Sequence, residues 1–475
     1  MKNTPVLMLA LAALLFGATV PAQSPTAGAS PSPTASPNPA CPLGFGWAEG
    51  LVAYTAYPAP PFPTEDTANL SAPDCAFHQW SWEAFVWATA IGTDGRARFT
   101  TLHNADEVGK TATAAATKGP KPLGLKPRDL KPAGARQNKP GDDPSQAGGG
   151  VLVDKDGQIV WYSTHMNDAY FNFLQQYGGA GYAQAPASLT WPVGAAVFKA
   201  SWKVIPNGTP PPGFYTEKTT VPMLKNNPAG GIMVDKTAKP RPVTVALVGL
   251  HVVGVTANHP EFLWGTFEQV QNAPDLPPGV AYNSTAPVSN QNFTFYAANT
   301  PANACNANTA PKVTDLVKQT VAPVTNVFRQ FATGGAEPYR TQDIINVNTA
   351  AQGEMTSMGT GKPPLPQETV WANYKLIGTL WIQACTLQPG VSQLEKQGIA
   401  SIDLANATLE TYFQGPQNNF NKNPMANCFM CHNTGPSFAG SSKKYPGKDI
   451  NLSHALLDSI PAPSPTATPT PTPKK

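Results

Sequence analysis

The chain has 475 residues, of which 52 are prolines and 40 are glycines. Together these make about 19 per cent of the chain, against roughly 12 per cent in average proteins. Only 13% of the residues are charged, whereas 41% are hydrophobic, so the composition excludes a charged disordered protein, a coiled coil and a collagen. The formal net charge of +3 is too small to favour nucleic acid as the main partner.

The first residues have the features of an export signal. Lys2 precedes the 15-residue apolar run Val6–Val20, and Val20, Pro21 and Ala22 offer small residues at a cleavage site. A membrane span needs about 20 apolar residues, so we predict a cleaved signal peptide at 1–22, with an uncleaved anchor as the alternative. We therefore expect a periplasmic or secreted mature chain without a transmembrane span, in a compartment where disulfides persist.

Composition divides the rest of the chain into segments. Residues 23–40 and 461–475 consist almost entirely of Pro, Ser, Thr and Ala, and this composition predicts a disordered linker and a disordered tail. The body is expected at 41–400, with an exposed basic loop at 110–150 that either docks an acidic partner or is a solvated face. Residues 401–460 form the last predicted segment.

The periodicity of apolar residues predicts both helices and strands. Phe77, Trp80, Ala84 and Trp87 recur on one face of a helix. Helices are predicted over 77–87, 167–177, 314–332 and 403–414, strands over 193–205, 242–255 and 292–298, and a hairpin over 151–162. This mixture predicts an α+β fold, with an antiparallel or mixed sheet body, flanking helices and a small helical C-terminal segment.

One short motif predicts chemistry. Cys428-Phe429-Met430-Cys431-His432 is C-x-x-C-H, the signature that attaches haem c. Its spacing lets Cys428 and Cys431 bond the two vinyl groups of one porphyrin, while His432 is the proximal iron ligand. Segment 401–460 is therefore predicted to carry one covalent haem c. The alternative is a surface disulfide or a metal clip; a zinc site needs a fourth Cys or His close by, and none lies within the next twenty residues.

The distal iron ligand is less well indicated. No Met follows His432, and His454 is the His that follows it, so His454 is the tentative distal ligand; a surface or helix-start His is its alternative role. His251 lies in an apolar run and is more typical of a core residue. Met355 and Met358 lie on a Gly-rich segment and are further candidates.

The other four cysteines are candidates for disulfides. Cys41, Cys75, Cys305 and Cys385 are an even number in an oxidising compartment, so two bridges are expected. Four cysteines allow three connectivities. Proximity in sequence favours Cys41 with Cys75 and Cys305 with Cys385.

Several strings in the body resemble those of a protein family. They are FHQWSWEAFVWAT (77–89), AGGGVLVDKDGQIVWYSTHMNDAY (147–170), FKASWKVIP (198–206), VALVGLHVVGVTANHPEFLWGTFEQVQNAPD (245–275), NYKLIGTLWIQ (373–383) and LANATLETYFQ (404–414). In these strings the chain is similar to exported bacterial cytochrome c family proteins that end in a single CxxCH domain. The resemblance implies one integrated architecture with a late haem site, and it carries over Cys428, Cys431 and His432 as functional positions.

These observations favour an exported monohaem cytochrome that passes single electrons to and from a redox partner protein. The sequence has no G-x-S-x-G elbow, no H-E-x-x-H and no phosphate-binding glycine loop, so no catalytic residue is assigned. The alternative is an extracytoplasmic redox enzyme, in which the body binds a substrate and the haem is the electron outlet or the reactive iron. A third hypothesis is a binding or sensory module whose haem senses gas or redox state. The sequence indicates no oligomeric state.

Overall fold

A nine-stranded antiparallel sheet organises the described part of the chain in the computed structural model. The structure describes residues 61–64, 75–109, 121–127, 150–178, 180–206, 208–330, 338–357, 369–382, 398–400, 404–414, 428–430, 432, 447–451, 453 and 455–456. All of these residues belong to one compact unit, Asn38–Lys475.

The strands and helices together confirm the predicted α+β fold. The strands are β1 (His103–Asn104), β2 (Lys126–Pro127), β3 (Val160–Met166), β4 (Ala196–Ile205), β5 (Thr216–Val221), β6 (Leu224–Asn226), β7 (Ile232–Val234), β8 (Arg241–Gly254), β9 (Leu263–Gln269), β10 (Lys312–Asp315), β11 (Thr320–Ala322), β12 (Tyr374–Ile382) and β13 (Gly398–Ala400). The helices are α1 (Cys75–Thr89), α2 (Arg98–Thr101), α3 (Asp168–Tyr177), α4 (Ala180–Gln184) and α5 (Pro338–Ser357). The main sheet has the order β1-β3-β4-β8-β9-β12-β13, with β2 paired to β3 and β5 paired to β8. Two small hairpins, β6–β7 and β10–β11, lie outside it.

Strand β8 is buried from Val245 to Gly254, so both of its faces are covered by other parts of the chain. Successive side chains of a strand point to opposite faces. The core on one face takes Val245, Leu247, Leu250 and Val252, whereas Ala246, Val248 and Val253 enter two other clusters on the opposite face. A bulge opposite Ser201 and Trp202 of β4 adjusts this alternation.

Helix α1 covers the first face of the sheet, and it confirms the helix predicted over 77–87. Gly265 of β9 permits its close approach, because a Cβ there would lie 2.7 Å from the Ser81 Oγ. The Ser81 hydroxyl also lies 2.8 Å from the Thr379 hydroxyl of β12. Residues on nearly every side of α1 are buried, whereas the periodicity of its apolar residues predicts burial of one face.

Residues 404–414 cover part of the second face, and the helix predicted over 403–414 is wrong for them. They form turns followed by a single 3-10 turn, Thr411–Phe413. The Asn406 side chain accepts hydrogen bonds from the backbone N–H groups of Thr408 and Leu409 and thereby competes with helical pairing. Its amide also donates to the carbonyl of Phe267, which ties the segment to β9.

Other sequence predictions are confirmed. The strands predicted over 193–205 and 242–255 correspond to β4 and β8, and the helix predicted over 167–177 corresponds to α3. The hairpin predicted over 151–162 has its turn at Asp154, whose N–H donates to the Gln158 carbonyl. Local sequence patterns thus predicted the elements that have regular backbone hydrogen bonding.

Two predicted elements are wrong. Residues 292–298 form a tight turn, in which the N–H of Phe293 donates to the carbonyl of Tyr296, and they form no strand. Over the described part of 314–332 the predicted helix is replaced by the β10–β11 hairpin. The Asp315 carboxylate accepts from the N–H groups of Val317 and Lys318, and this local turn fixes the reversal.

The basic segment 110–150 is only partly an exposed loop. Within its described residues, Leu123 and Leu125 are buried in the helix-side core, and β2 pairs with β3. The remainder of this segment lies outside the described residues, as do the predicted signal peptide (1–22), linker (23–40) and tail (461–475). Among the described helices, none is both long and apolar enough to cross a membrane.

His165 of β3 should make the protein sensitive to acid. The ring is fully buried and neither ring nitrogen has a hydrogen-bond partner. Burial, together with the charges of Lys121 and Arg96, lowers the pKa of His165 to about 3. The unfolded chain then binds one more proton between about pH 6.5 and pH 3, so stability falls on acidification by up to about 1.4 kcal/mol per pH unit.

A pair of variants tests this sensitivity by urea unfolding from pH 7.5 to pH 4. We expect His165→Leu to gain stability relative to the wild type as the pH falls. Phe99→Leu, at the ring that packs edge-on against His165, should change stability by the same amount at every pH. A pH-independent difference for His165→Leu would contradict the prediction.

Candidate functional site

The described part of the C-x-x-C-H motif packs against the second face of the sheet. Cys428 begins a 3-10 turn, Cys428–Met430, and the N–H of His432 donates to the Cys428 carbonyl at 2.9 Å. Phe429 is buried and Cys428 is half-buried. Cys431 lies outside the described residues. The turn therefore places Phe429 in the protein and leaves Cys428 at the edge of an apolar surface.

That apolar surface is a cluster at the end of β8 and the start of β9, called here the motif cluster. Its buried members are Met166, Tyr170, Phe173, Leu174, Tyr182, Leu189, Trp191, Ala195, Val253, Val255, Phe262, Trp264, Leu380, Ile382, Phe429, Ile450 and Leu456. Tyr170 and Trp191 stack at 4.3 Å between ring centroids, and Phe262 packs edge-on against Trp264 at 5.7 Å. Most of these side chains are fully buried, so the cluster is a part of the core against which the motif packs.

Trp264 lies directly beside the motif histidine. Its ring centroid is 4.6 Å from that of His432, with 49° between the planes. Its cross-strand neighbours on β8 and β12 are Val253 and Leu380, which offer no side-chain acceptor. The indole N–H of Trp264 is buried and makes no hydrogen bond in the structure.

The residues at this position fit a covalently attached haem. A buried N–H without an acceptor costs about 1–3 kcal/mol, so the Trp264 indole favours a bound group that brings an acceptor of its own. A porphyrin combines a large apolar ring with carboxylates at one edge. Cys428 packs against the edge of the cluster, and the His432 ring lies against Trp264 within it.

Residues 447–451 hold the motif region against the body. The Lys448 side chain is buried, and its ammonium donates to the Ala185 carbonyl and lies 5.1 Å from the Tyr182 ring centroid. The N–H of Asp449 donates to the carbonyl of Ala187 at 2.8 Å. This short stretch is therefore docked on the segment that follows α4.

Asn451 connects three separate parts of the chain at the site. Its side-chain oxygen accepts from the Phe262 N–H at 3.2 Å, and its amide nitrogen donates to the His432 carbonyl at 2.7 Å. Its own backbone carbonyl accepts from the Trp191 indole at 2.9 Å. No pattern in the sequence singled out Asn451. Its side chain is hydrogen-bonded to backbone groups, and Phe262, Trp191 and His432 are all distant along the chain.

The candidates for the distal iron ligand lie in different places. His454 and Met358 lie outside the described residues. Met355 is buried in the core on the helix side of the sheet, so it faces away from the motif cluster. His251 lies on the motif side, but its Nε2 is 2.7 Å from the Glu410 carboxylate, so that nitrogen is engaged.

His251 and Glu410 form a hydrogen-bonded pair between the sheet and residues 404–414. Burial raises the pKa of Glu410, but the His251 ring, its hydrogen bond and the Lys199 ammonium outweigh it, so the pKa of Glu410 lies below its ordinary value. Lys199 is directly opposite His251 in the pairing of β4 with β8. A polar row thus crosses the sheet next to the apolar motif cluster.

The cysteines differ from the expected pairing. Cys75 is disulfide-bonded, and Cys41 and Cys385 lie outside the described residues. Cys305 is a free thiol, so the bridge predicted between Cys305 and Cys385 is wrong. The Cys305 thiol is buried in a small cluster and donates to the Pro301 carbonyl at 3.4 Å. Burial raises the pKa of this thiol to about 12.

Comparisons with protein-family models, with curated proteins and with solved structures give no match to this chain. The site is therefore interpreted from its own residues and contacts.

Peptide mapping under non-reducing conditions tests the cysteine assignment. We expect alkylation of Cys305 only after the protein is denatured, because the native thiol is buried and protonated. We also expect Cys75 in a bridge with Cys41 or Cys385. A bridge from Cys75 to Cys428 or Cys431 would remove a thiol that the motif needs, and Cys305 recovered in a disulfide would contradict its assignment as a free thiol.

Proposed function

We propose that the chain is an exported c-type cytochrome with one covalent haem, which transfers single electrons to and from a redox partner protein. The observation that carries this proposal is the docking of the C-x-x-C-H turn on the motif cluster, with His432 against Trp264. Phe429 of the motif is buried in this aromatic cluster and holds the turn against the body. Sequence signature and packing therefore favour the same chemistry.

Each residue of the motif has a distinct role in this proposal. The thiols of Cys428 and Cys431 hold the porphyrin as thioethers, and His432 is the proximal iron ligand. The bound haem supplies one-electron exchange between ferric and ferrous iron. Phe429 and Trp264 exclude water from one side of the site, and a less polar surrounding tunes the reduction potential.

Export and family membership belong to the same proposal. Haem is attached to C-x-x-C-H motifs outside the bacterial cytoplasm, which agrees with the signal peptide predicted at residues 1–22. The resemblance to exported cytochrome c family proteins with a late CxxCH domain agrees with a motif that packs on the preceding body. We infer a periplasmic or secreted location on these grounds.

The second candidate function is an extracytoplasmic redox enzyme, and the His251–Glu410 pair is the observation that favours it. His251 is on the same face of β8 as Val253 of the motif cluster, two residues away. A histidine oriented by a carboxylate is suited to acid–base chemistry. Lys199 lies opposite His251 on β4, and its ammonium contributes to the lowered pKa of Glu410.

Covalent attachment is tested with a double variant in a host that matures haem c. We expect Cys428→Ala with Cys431→Ala to abolish haem staining in a denaturing gel, because the thioether bonds are lost. Cys305→Ala is the matched control, since it removes a buried thiol in another cluster and should retain the stain. Haem retained by the double variant would contradict the proposal.

The response of the reduced protein to carbon monoxide separates the two candidate functions. A ferrous spectrum that carbon monoxide leaves unchanged is expected for a six-coordinate iron that only transfers electrons. If His454 is the distal ligand, His454→Ala should make that spectrum sensitive to carbon monoxide. A wild-type spectrum that already shifts would contradict the electron-transfer assignment and favour the enzyme or the sensory module.

A further inference from the structure

Asn451 is fully buried at the point where the motif meets the sheet. Both ends of its amide are engaged by backbone groups of other segments. The oxygen accepts from the Phe262 N–H at the entry to β9, and the nitrogen donates to the His432 carbonyl. An N–H requires an acceptor and a carbonyl requires a donor, so these partners define the orientation of the amide.

The Asn451 backbone is itself held in place. Its carbonyl accepts from the Trp191 indole at 2.9 Å, and Trp191 stacks on Tyr170 within the motif cluster. Ser453, two residues later, receives a 2.7 Å hydrogen bond from the Tyr170 hydroxyl. The backbone of Asn451 is thus held by hydrogen bonds from aromatic side chains of the motif cluster to it and to Ser453.

We propose that Asn451 is a positioning residue, which fixes the backbone of His432 relative to Trp264; this inference rests on the proposed function. Phe262 precedes Trp264 by two residues, so the Asn451 amide ties His432 to the chain segment that presents the indole. The bond from the His432 N–H to Cys428 lies within the motif and does not relate it to the sheet. Asn451 therefore supplies a hydrogen-bonded link between the iron ligand and β9.

The variant Asn451→Asp separates positioning from general stability. It keeps an oxygen for the Phe262 N–H but loses the donor to the His432 carbonyl. Asn348→Asp is the matched control, because Asn348 is also a buried amide between backbone groups and an indole, with Leu376 and Trp82 as partners on the helix side of the sheet. Both changes should lower the thermal midpoint.

We expect only N451D to alter the haem. Its low-spin ferrous spectrum and midpoint potential should shift, and the yield of low-spin haem should fall, because the His432 carbonyl loses its hydrogen bond from Asn451. N348D should leave the spectrum and the potential unchanged.

A haem-free measurement distinguishes the two proposals. In a background with Cys428→Ala and Cys431→Ala, N451D should increase the rate of limited proteolysis around the motif, whereas N348D should not. Absence of covalent haem in the wild type would overturn the proposed function and leave this proteolysis result to decide whether Asn451 anchors the motif. Equal spectra, potentials and proteolysis rates for N451D and N348D would overturn the role of Asn451.

Discussion

The burial of β8 on both faces is the constraint on which the rest of the structure depends. Antiparallel sheets commonly leave one face in water, but ten consecutive residues of β8, from Val245 to Gly254, are buried. Helix α1 covers one face, and its close approach at Gly265 leaves no room for a side chain. The opposite face is covered by residues 404–414 and by the motif, which both come from the C-terminal part of the chain.

This constraint gives a physical reason for a motif that comes late in the chain. The motif cluster draws on β3, β8, β9 and β12, so its wall exists only when the sheet is assembled. Residues 404–414 reach the same face through Asn406, and 447–451 through Lys448 and Asn451. The described residues of 401–460 therefore share their contacts with the body.

Local sequence patterns predicted those features that depend on local interactions. The periodicity around Trp80 predicted α1, and the apolar run 242–255 predicted β8. The predictions failed where side chains compete with regular backbone pairing, as Asn406 and Asp315 do. Asn451 was not predicted as a site residue, because its contact with the His432 backbone joins positions 19 residues apart that no local pattern relates.

Two neighbouring regions of the second face differ in polarity. The motif cluster is apolar around Trp264, whereas the next row of the sheet carries Lys199 and the His251–Glu410 pair. A flat cofactor with an apolar ring and a charged edge suits a boundary of this kind. The most direct test of the central claim is the reduced visible spectrum, in alkaline pyridine, of mature protein made with haem c maturation. The account predicts the spectrum of a c-type haem at one equivalent per chain; a chain without haem, or haem that acid acetone extracts, would contradict it.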